Sequence, residues 1–133
     1  MIGVIVVAHG NLAQEFSHVV QKIMGPQENL HTLSIDGEEL FPEATETLKK
    51  LVSKCDTGDG VLILTDLFGG TPSNLALSVL GFANIEVLAG INMPMLIKAL
   101  SLRNDMSLNQ LVHLAQDAGK KYIQIANDVL HTS

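Results

Sequence analysis

Gly3-Val4-Ile5-Val6-Val7-Ala8-His9-Gly10-Asn11 is an apolar run that ends abruptly in a histidine, a glycine and a residue able to cap a helix. A string of β-branched residues bounded by glycine reads as a strand buried on both faces, the signature of a parallel sheet. The first polar side chain at its end, His9, then stands where the strand leaves the sheet. In open α/β sheets that carboxyl edge is where ligands bind.

Outward from this run, Asn11 is placed to cap a helix in which Leu12, Phe16, Val19, Val20 and Ile23 recur at three- and four-residue spacing. Gly25-Pro26 ends it. Leu30 to Ile35 alternates as an edge strand does, with Leu30, Thr32 and Ser34 on one side and His31, Leu33 and Ile35 on the other. After a polar loop, Pro42 opens a helical pattern carrying Ala44, Leu48, Leu51 and Val52.

A twin of the first run follows the turn Thr57-Gly58-Asp59-Gly60: Val61-Leu62-Ile63-Leu64-Thr65-Asp66 is again apolar and again ends in a group capable of chemistry. The loop Leu67-Phe68-Gly69-Gly70-Thr71-Pro72 then leads into a helix predicted over Ser73 to Leu80, with Thr71 as its cap and Pro72 at the first helical position. Asn84 to Ala89 reads as a fourth strand. Gly90 to Pro94 reads as a loop, Met95 to Leu102 as a short helix, and Leu108 to Ala118 as a longer one ending at Gly119. The tail stays open: Tyr122, Ile125, Ala126 and Val129 keep a helical spacing, while Tyr122 to Ile125 also fits a short strand.

The order β-α-β-α-β-α-β-α implies a parallel sheet with right-handed crossovers. At 133 residues the chain is expected to be a single domain, residues 1-133, of the α/β class: a flavodoxin-like doubly wound sheet in order 2-1-3-4. That order makes His9 and Asp66 neighbours on adjacent strands, about 4.8 Å apart.

Composition narrows the function. A net charge of −6 with eight Lys and Arg removes the basic footprint that nucleic acid binding needs. No apolar run approaches the ~20 residues of a membrane span, and the first residues lack the marks of an export signal, so a cytoplasmic protein is expected. Cys55 is alone and cannot form an internal disulfide. His18, His31, His113 and His131 share no i, i+4 spacing and read as surface residues, and Met93 and Met95 read as packing residues around Pro94.

A carboxylate on one ring nitrogen of His9 would fix its tautomer and leave the other nitrogen outward as a nucleophile or base. Helix N-termini at Gly69-Gly70-Thr71 and at Gly10-Asn11 would offer amides and a hydroxyl to an anion beside it. Imidazole next to an anion cradle suggests phosphoryl transfer through a phosphohistidine. A metal is not expected, since one His and one Asp fall short of the roughly three protein ligands of a catalytic zinc site. No G-x-S-x-G elbow, P-loop or dinucleotide fingerprint is present. A receiver-like reading would make Asp66 the acceptor, but Ala8-His9-Gly10 stands where its magnesium-binding acidic pair is needed.

Val7-Ala8-His9-Gly10 with Leu12-Ala13, Thr65 to Pro72 with Asn74, and Ala89 to Leu96 together resemble the IIA components of the mannose family of the bacterial sugar phosphotransferase system. The likeness runs from Met1 to about Ala126. The resemblance implies that His9 is phosphorylated through Nε2 by phosphohistidine on the carrier HPr, with Asp66 on Nδ1, and that the group passes to a IIB component without metal, nucleotide or other cofactor. It maps Gly10, Gly70 and Thr71 onto the loops around the phosphoryl group and Asn92 to Met95 onto the docking rim. It also implies a homodimer, in some members with an exchanged C-terminal strand, which here would add an antiparallel edge strand from the tail. Phe68 departs from the Trp of the best-known members, and the sequence carries no Ala- and Pro-rich linker or IIB domain before Ser133. The expectation is therefore action in trans, either beside a membrane permease complex or as a regulator whose phosphorylation controls a protein partner without sugar transport. A small-molecule binding module using the same cradle is the blander alternative.

Overall fold

A computed structural model of the chain describes residues 1–131. The elements run β1 (Gly3–His9), α1 (Leu12–Met24), β2 (Leu30–Ile35), α2 (Phe41–Cys55), β3 (Val61–Thr65), α3 (Thr71–Ser78), β4 (Ile85–Ala89), α4 (Met93–Leu102), α5 (Leu108–Lys121) and α6 (Ala126–Leu130). The four strands form one sheet in order β2-β1-β3-β4, and every pairing is parallel.

Central strands of such a sheet have no wet face, and this dictates their composition. Val4, Val6 and Ala8 of β1 pack with Leu62 and Leu64 of β3 under Ala13, Val20, Leu96, Ala99, Leu111 and Ala115, from α1, α4 and α5. Ile5 and Val7, with Val61 and Ile63, meet Leu48, Val52, Leu75 and Ala76 from α2 and α3 on the opposite face. Gly3 has no side chain for a simple reason: a Cβ there would stand 2.7 Å from both the carbonyl oxygen and the Sγ of Cys55, so α2 ends hard against the start of β1.

The amino edge of the sheet is tied by polar contacts. Arg103, buried at the end of α4, donates to the carbonyls of Asn29 at 3.1 Å and of Glu28, and so holds the α1–β2 connection. Asp56 accepts the amides of Gly58 and Gly60 at 2.9 and 3.2 Å in the turn before β3.

Several local expectations need correcting. Helix α3 starts at Thr71 and ends at Ser78, where the sequence predicts Ser73 to Leu80; its cap is Gly70, extended at φ −89°, ψ 174°, and Thr71 is its first helical residue. Beyond Ser78 the chain tightens into three-residue turns, with Val79 N–H on Ala76 and Leu80 N–H on Leu77. Asn11 precedes α1 but makes no side-chain cap, because its own backbone, φ −96° and ψ 7°, is not in the extended form from which a cap side chain reaches the helix amides. Helix α4 begins at Met93, two residues early, because Asn92 Oδ1 accepts the Met95 amide at 3.0 Å. Met95 does pack in the core. His31 is partly buried rather than a surface residue, and burial followed by the charge of Lys54 lowers its pKa.

The tail resolves as a turn and the short helix α6, with Tyr122, Ile123, Ile125, Val129 and Leu130 exposed. Among the described residues, no strand pairs with the outer edge of β4.

Candidate functional site

Register brings the two chain ends of interest together. Val7 lies opposite Thr65 and is followed by Ala8 and His9, so β1 projects past the last paired residue of β3 just as β3 turns out of the sheet at Asp66. On its other side β1 stays paired to the end, with His9 opposite Ile35. His9 is thereby held by a strand on one side and free of one on the other.

Asp66 fills the free side. Its Oδ2 lies 2.7 Å from His9 Nδ1 and accepts the His9 backbone N–H at 3.0 Å, while Oδ1 accepts the Leu67 N–H at 3.0 Å. Burial pushes the Asp66 carboxyl up, but the His9 amide, the His9 ring and the Leu67 amide together outweigh it, and its pKa sits below the ordinary carboxylate value. An ionised carboxylate only accepts, so in the neutral ring Nδ1 carries the proton and Nε2 keeps a lone pair. The side chain of Asp66 is 10% exposed and that of His9 46%, which places the charge inside and the lone pair at the surface.

The edge of the ring that bears Nε2 abuts the turn before α3. A Cβ on Gly70 would sit 3.0 Å from His9 Cε1 and 3.5 Å from Nε2, so only glycine lets that backbone lie flat against the imidazole. As cap and first residue of α3, Gly70 and Thr71 have amides with no intrahelical acceptor, at the electropositive end of the helix. Thr71 is exposed.

The other glycines of the expected cradle contribute differently. Gly10 takes the left-handed conformation, φ +55°, that carries the chain from β1 into α1, and its N–H is donated to the Ile35 carbonyl at 2.9 Å. The free donors at that end are the amides of Leu12, Ala13 and Gln14, since the first helical bond runs from Glu15 to Asn11. Gly69, at φ +99°, donates its N–H to Ser73 Oγ at 2.8 Å. These two glycines shape the turns, and the donors facing outward come from their neighbours. Ser73 itself reads in the sequence as an ordinary helix residue. The available signal was a serine in the first turn of the predicted helix, from which a polar side chain can reach back over the helix start.

Comparison with known proteins follows the same motifs. A sequence model of the family described as "PTS system fructose IIA component" matches residues 3–116. The chain is 33% identical over 125 residues to the PTS system mannose-specific EIIAB component of Escherichia coli K12, covering 92% of this chain and 39% of that protein. It is 36% identical over 112 residues to the sorbose-specific EIIA component of Lacticaseibacillus casei, covering 82% of this chain and 79% of the relative. The chain thus spans about two fifths of the length of the first relative. Among solved structures, a phosphotransferase system component EIIA from Streptococcus agalactiae superposes with a TM-score of 0.87 at 27% identity, over 96% of this chain and 99% of that one. With a family match across most of its length and the same parallel order of strands, this chain belongs to the mannose-type EIIA family of the sugar phosphotransferase system.

Proposed function

We propose that the protein is a phosphocarrier whose His9 Nε2 receives a phosphoryl group from phosphohistidine on HPr and hands it to a IIB component. The observation that carries this reading is the ring of His9, proton fixed on Nδ1 by Asp66 at 2.7 Å, with its other nitrogen half-exposed against the start of α3. The Nε2 lone pair attacks phosphorus as the P–N bond of the donor breaks, and the electron pair of that bond stays on the donor nitrogen. His9 becomes a phosphorylated imidazolium whose positive charge faces the ionised Asp66. Gly70, Thr71 and the first amides of α1 supply donors for the phosphoryl oxygens, while Gly10 and Gly69 hold the turns that present them. Because the incoming group is already activated, positioning and charge stabilisation suffice, and no cofactor enters the scheme.

Transfer onward runs by the same chemistry in reverse toward the IIB acceptor. Among the described residues no helix is long and apolar enough to cross a membrane, and a cytoplasmic site of action beside a membrane permease fits a carrier of this kind. Homodimerisation through the tail is supported by the exposed apolar side chains of Tyr122, Ile123, Ile125 and Leu130, of which Ile123 lies beside Leu88 and Ala89 of β4.

The test is incubation with phosphoenolpyruvate, enzyme I and HPr. Wild-type protein should take up an acid-labile, base-stable phosphate and pass it to IIB, and His9→Ala should take up none. Equal labelling of His9→Ala would overturn the reading.

A further inference from the structure

The hydroxyl of Ser73 is fully buried and makes two bonds across one turn of chain: it accepts the Gly69 N–H at 2.8 Å and donates to the Gly70 carbonyl at 3.0 Å. Those groups belong to the peptide planes on either side of the Gly69-Gly70 unit, so a single oxygen orients both. In a trans peptide the carbonyl and the N–H point opposite ways. Drawing the Gly70 carbonyl toward the helix therefore turns the Thr71 N–H away from it, outward. The Asn74 amide, also on the Gly70 carbonyl at 2.9 Å, acts in the same sense. Gly69 and Gly70 are the two residues least able to hold a conformation by themselves, and Gly70 is the one whose backbone lies against the His9 ring.

We propose that Ser73 is a positioning residue for phosphoryl transfer at His9: through its two bonds to the Gly69–Gly70 turn it preorganises the donors that face the phosphoryl group. The inference rests on the phosphocarrier reading. Ser73 touches neither the ring nor the phosphoryl group and acts through the turn alone. Loss of its hydroxyl frees the Gly69 amide and leaves the Gly70 carbonyl on the Asn74 N–H alone, so the turn must be frozen again in each transition state.

The experiment compares wild type, Ser73→Ala, Ser73→Thr and Ser78→Ala, with phosphorylated HPr and, separately, with phosphoramidate as a small-molecule donor. Ser78 Oγ bonds the Leu75 carbonyl at 2.6 Å on the same helix but away from the turn, so its variant reports simple loss of a helix bond. Ser73→Ala is expected to lower kcat about tenfold with both donors, the kinetic equivalent of one hydrogen bond, at unchanged KM for phospho-HPr. Ser73→Thr, which keeps the hydroxyl, should recover the rate, and Ser78→Ala should not lower it. In the wild-type protein the Gly69 amide should be protected from hydrogen exchange although the residue is exposed, a measurement that needs no variant. An unaltered rate in Ser73→Ala, an equal loss in Ser78→Ala, a change in KM alone, or fast exchange at Gly69 would overturn the inference while the phosphocarrier reading stands. Absence of labelling in the wild type would overturn both.

Discussion

Asp66 holds His9 twice through one oxygen: Oδ2 accepts the ring Nδ1–H at 2.7 Å and the backbone N–H at 3.0 Å. The side chain and the main chain of the histidine are thereby referred to the same point, so the ring can neither tip nor exchange its tautomer without disturbing the end of β1. Asp66→Asn removes the charge facing the imidazolium and keeps the size. The expected outcome is a folded protein whose phosphorylation slows by several orders, toward the about 10⁴ seen when the carboxylate of a catalytic triad is neutralised. Rapid-quench measurement of phosphate uptake checks this, and a wild-type rate would assign Asp66 to structure alone.

The same contacts make stability depend on pH in a definite direction. The Asp66 pKa is lower folded than unfolded, so its contribution is present above the unfolded value of about 3.9 and is lost as pH falls through the folded value. Urea unfolding at pH 6 and at pH 3 should find wild type above Asp66→Asn at the higher pH, with the gap closing at the lower. A gap that stays constant would contradict the assignment.

Gly70 lies at φ −89°, ψ 174°, a conformation any residue adopts, so Gly70→Ala strains no backbone. Its cost falls on the ring instead, which must move to relieve a 3.0 Å contact at Cε1. Stability should change by less than about 1 kcal/mol, while displacement of the nucleophile slows phosphorylation by about tenfold to a hundredfold. Thermal unfolding and labelling, run on the same preparation, separate the two effects.

Gly3→Ala is the converse case. Its Cβ would meet both Sγ and the carbonyl of Cys55 at 2.7 Å, far from His9, so about 1–3 kcal/mol of stability should be lost through overpacking. Adding Cys55→Ala should return part of that loss by removing Sγ and leave the carbonyl clash. A double-mutant cycle in denaturant measures the coupling, and additive effects would place the strain elsewhere.

The strands and their order were legible in the sequence because a doubly buried strand admits almost nothing but aliphatic residues, and Val4 to Ala8 and Val61 to Leu64 obey that. From the order came the adjacency of His9 and Asp66. What stayed illegible was the direction of individual amides. Gly10 and Gly69 look like equal members of an anion cradle, yet each N–H is taken by a group from elsewhere, the Ile35 carbonyl and the Ser73 hydroxyl. Local composition says which residues can turn and leaves open which acceptor arrives. Asn92 escaped for a related reason: a Gly and a Pro flanking it read as loop, although its side chain starts α4 and its Nδ2 also donates to the Gly119 carbonyl at 2.9 Å. The apolar residues of α1 misled differently, since the helix buries Ala13 and Val20 and leaves Leu12, Val19 and Ile23 exposed.

At the far edge of the sheet, Arg103 occupies the carbonyls of Glu28 and Asn29, and Asp56 occupies the amides of Gly58 and Gly60. The two ends of this small protein are therefore chemically unequal. The backbone groups named here are paired where the strands begin, whereas beside His9 the first amides of α1 and α3 have no intrahelical acceptor. The strand axis thus has a direction in spare donors, and the end that carries His9 is the one where the proposed phosphocarrier role seats its anion.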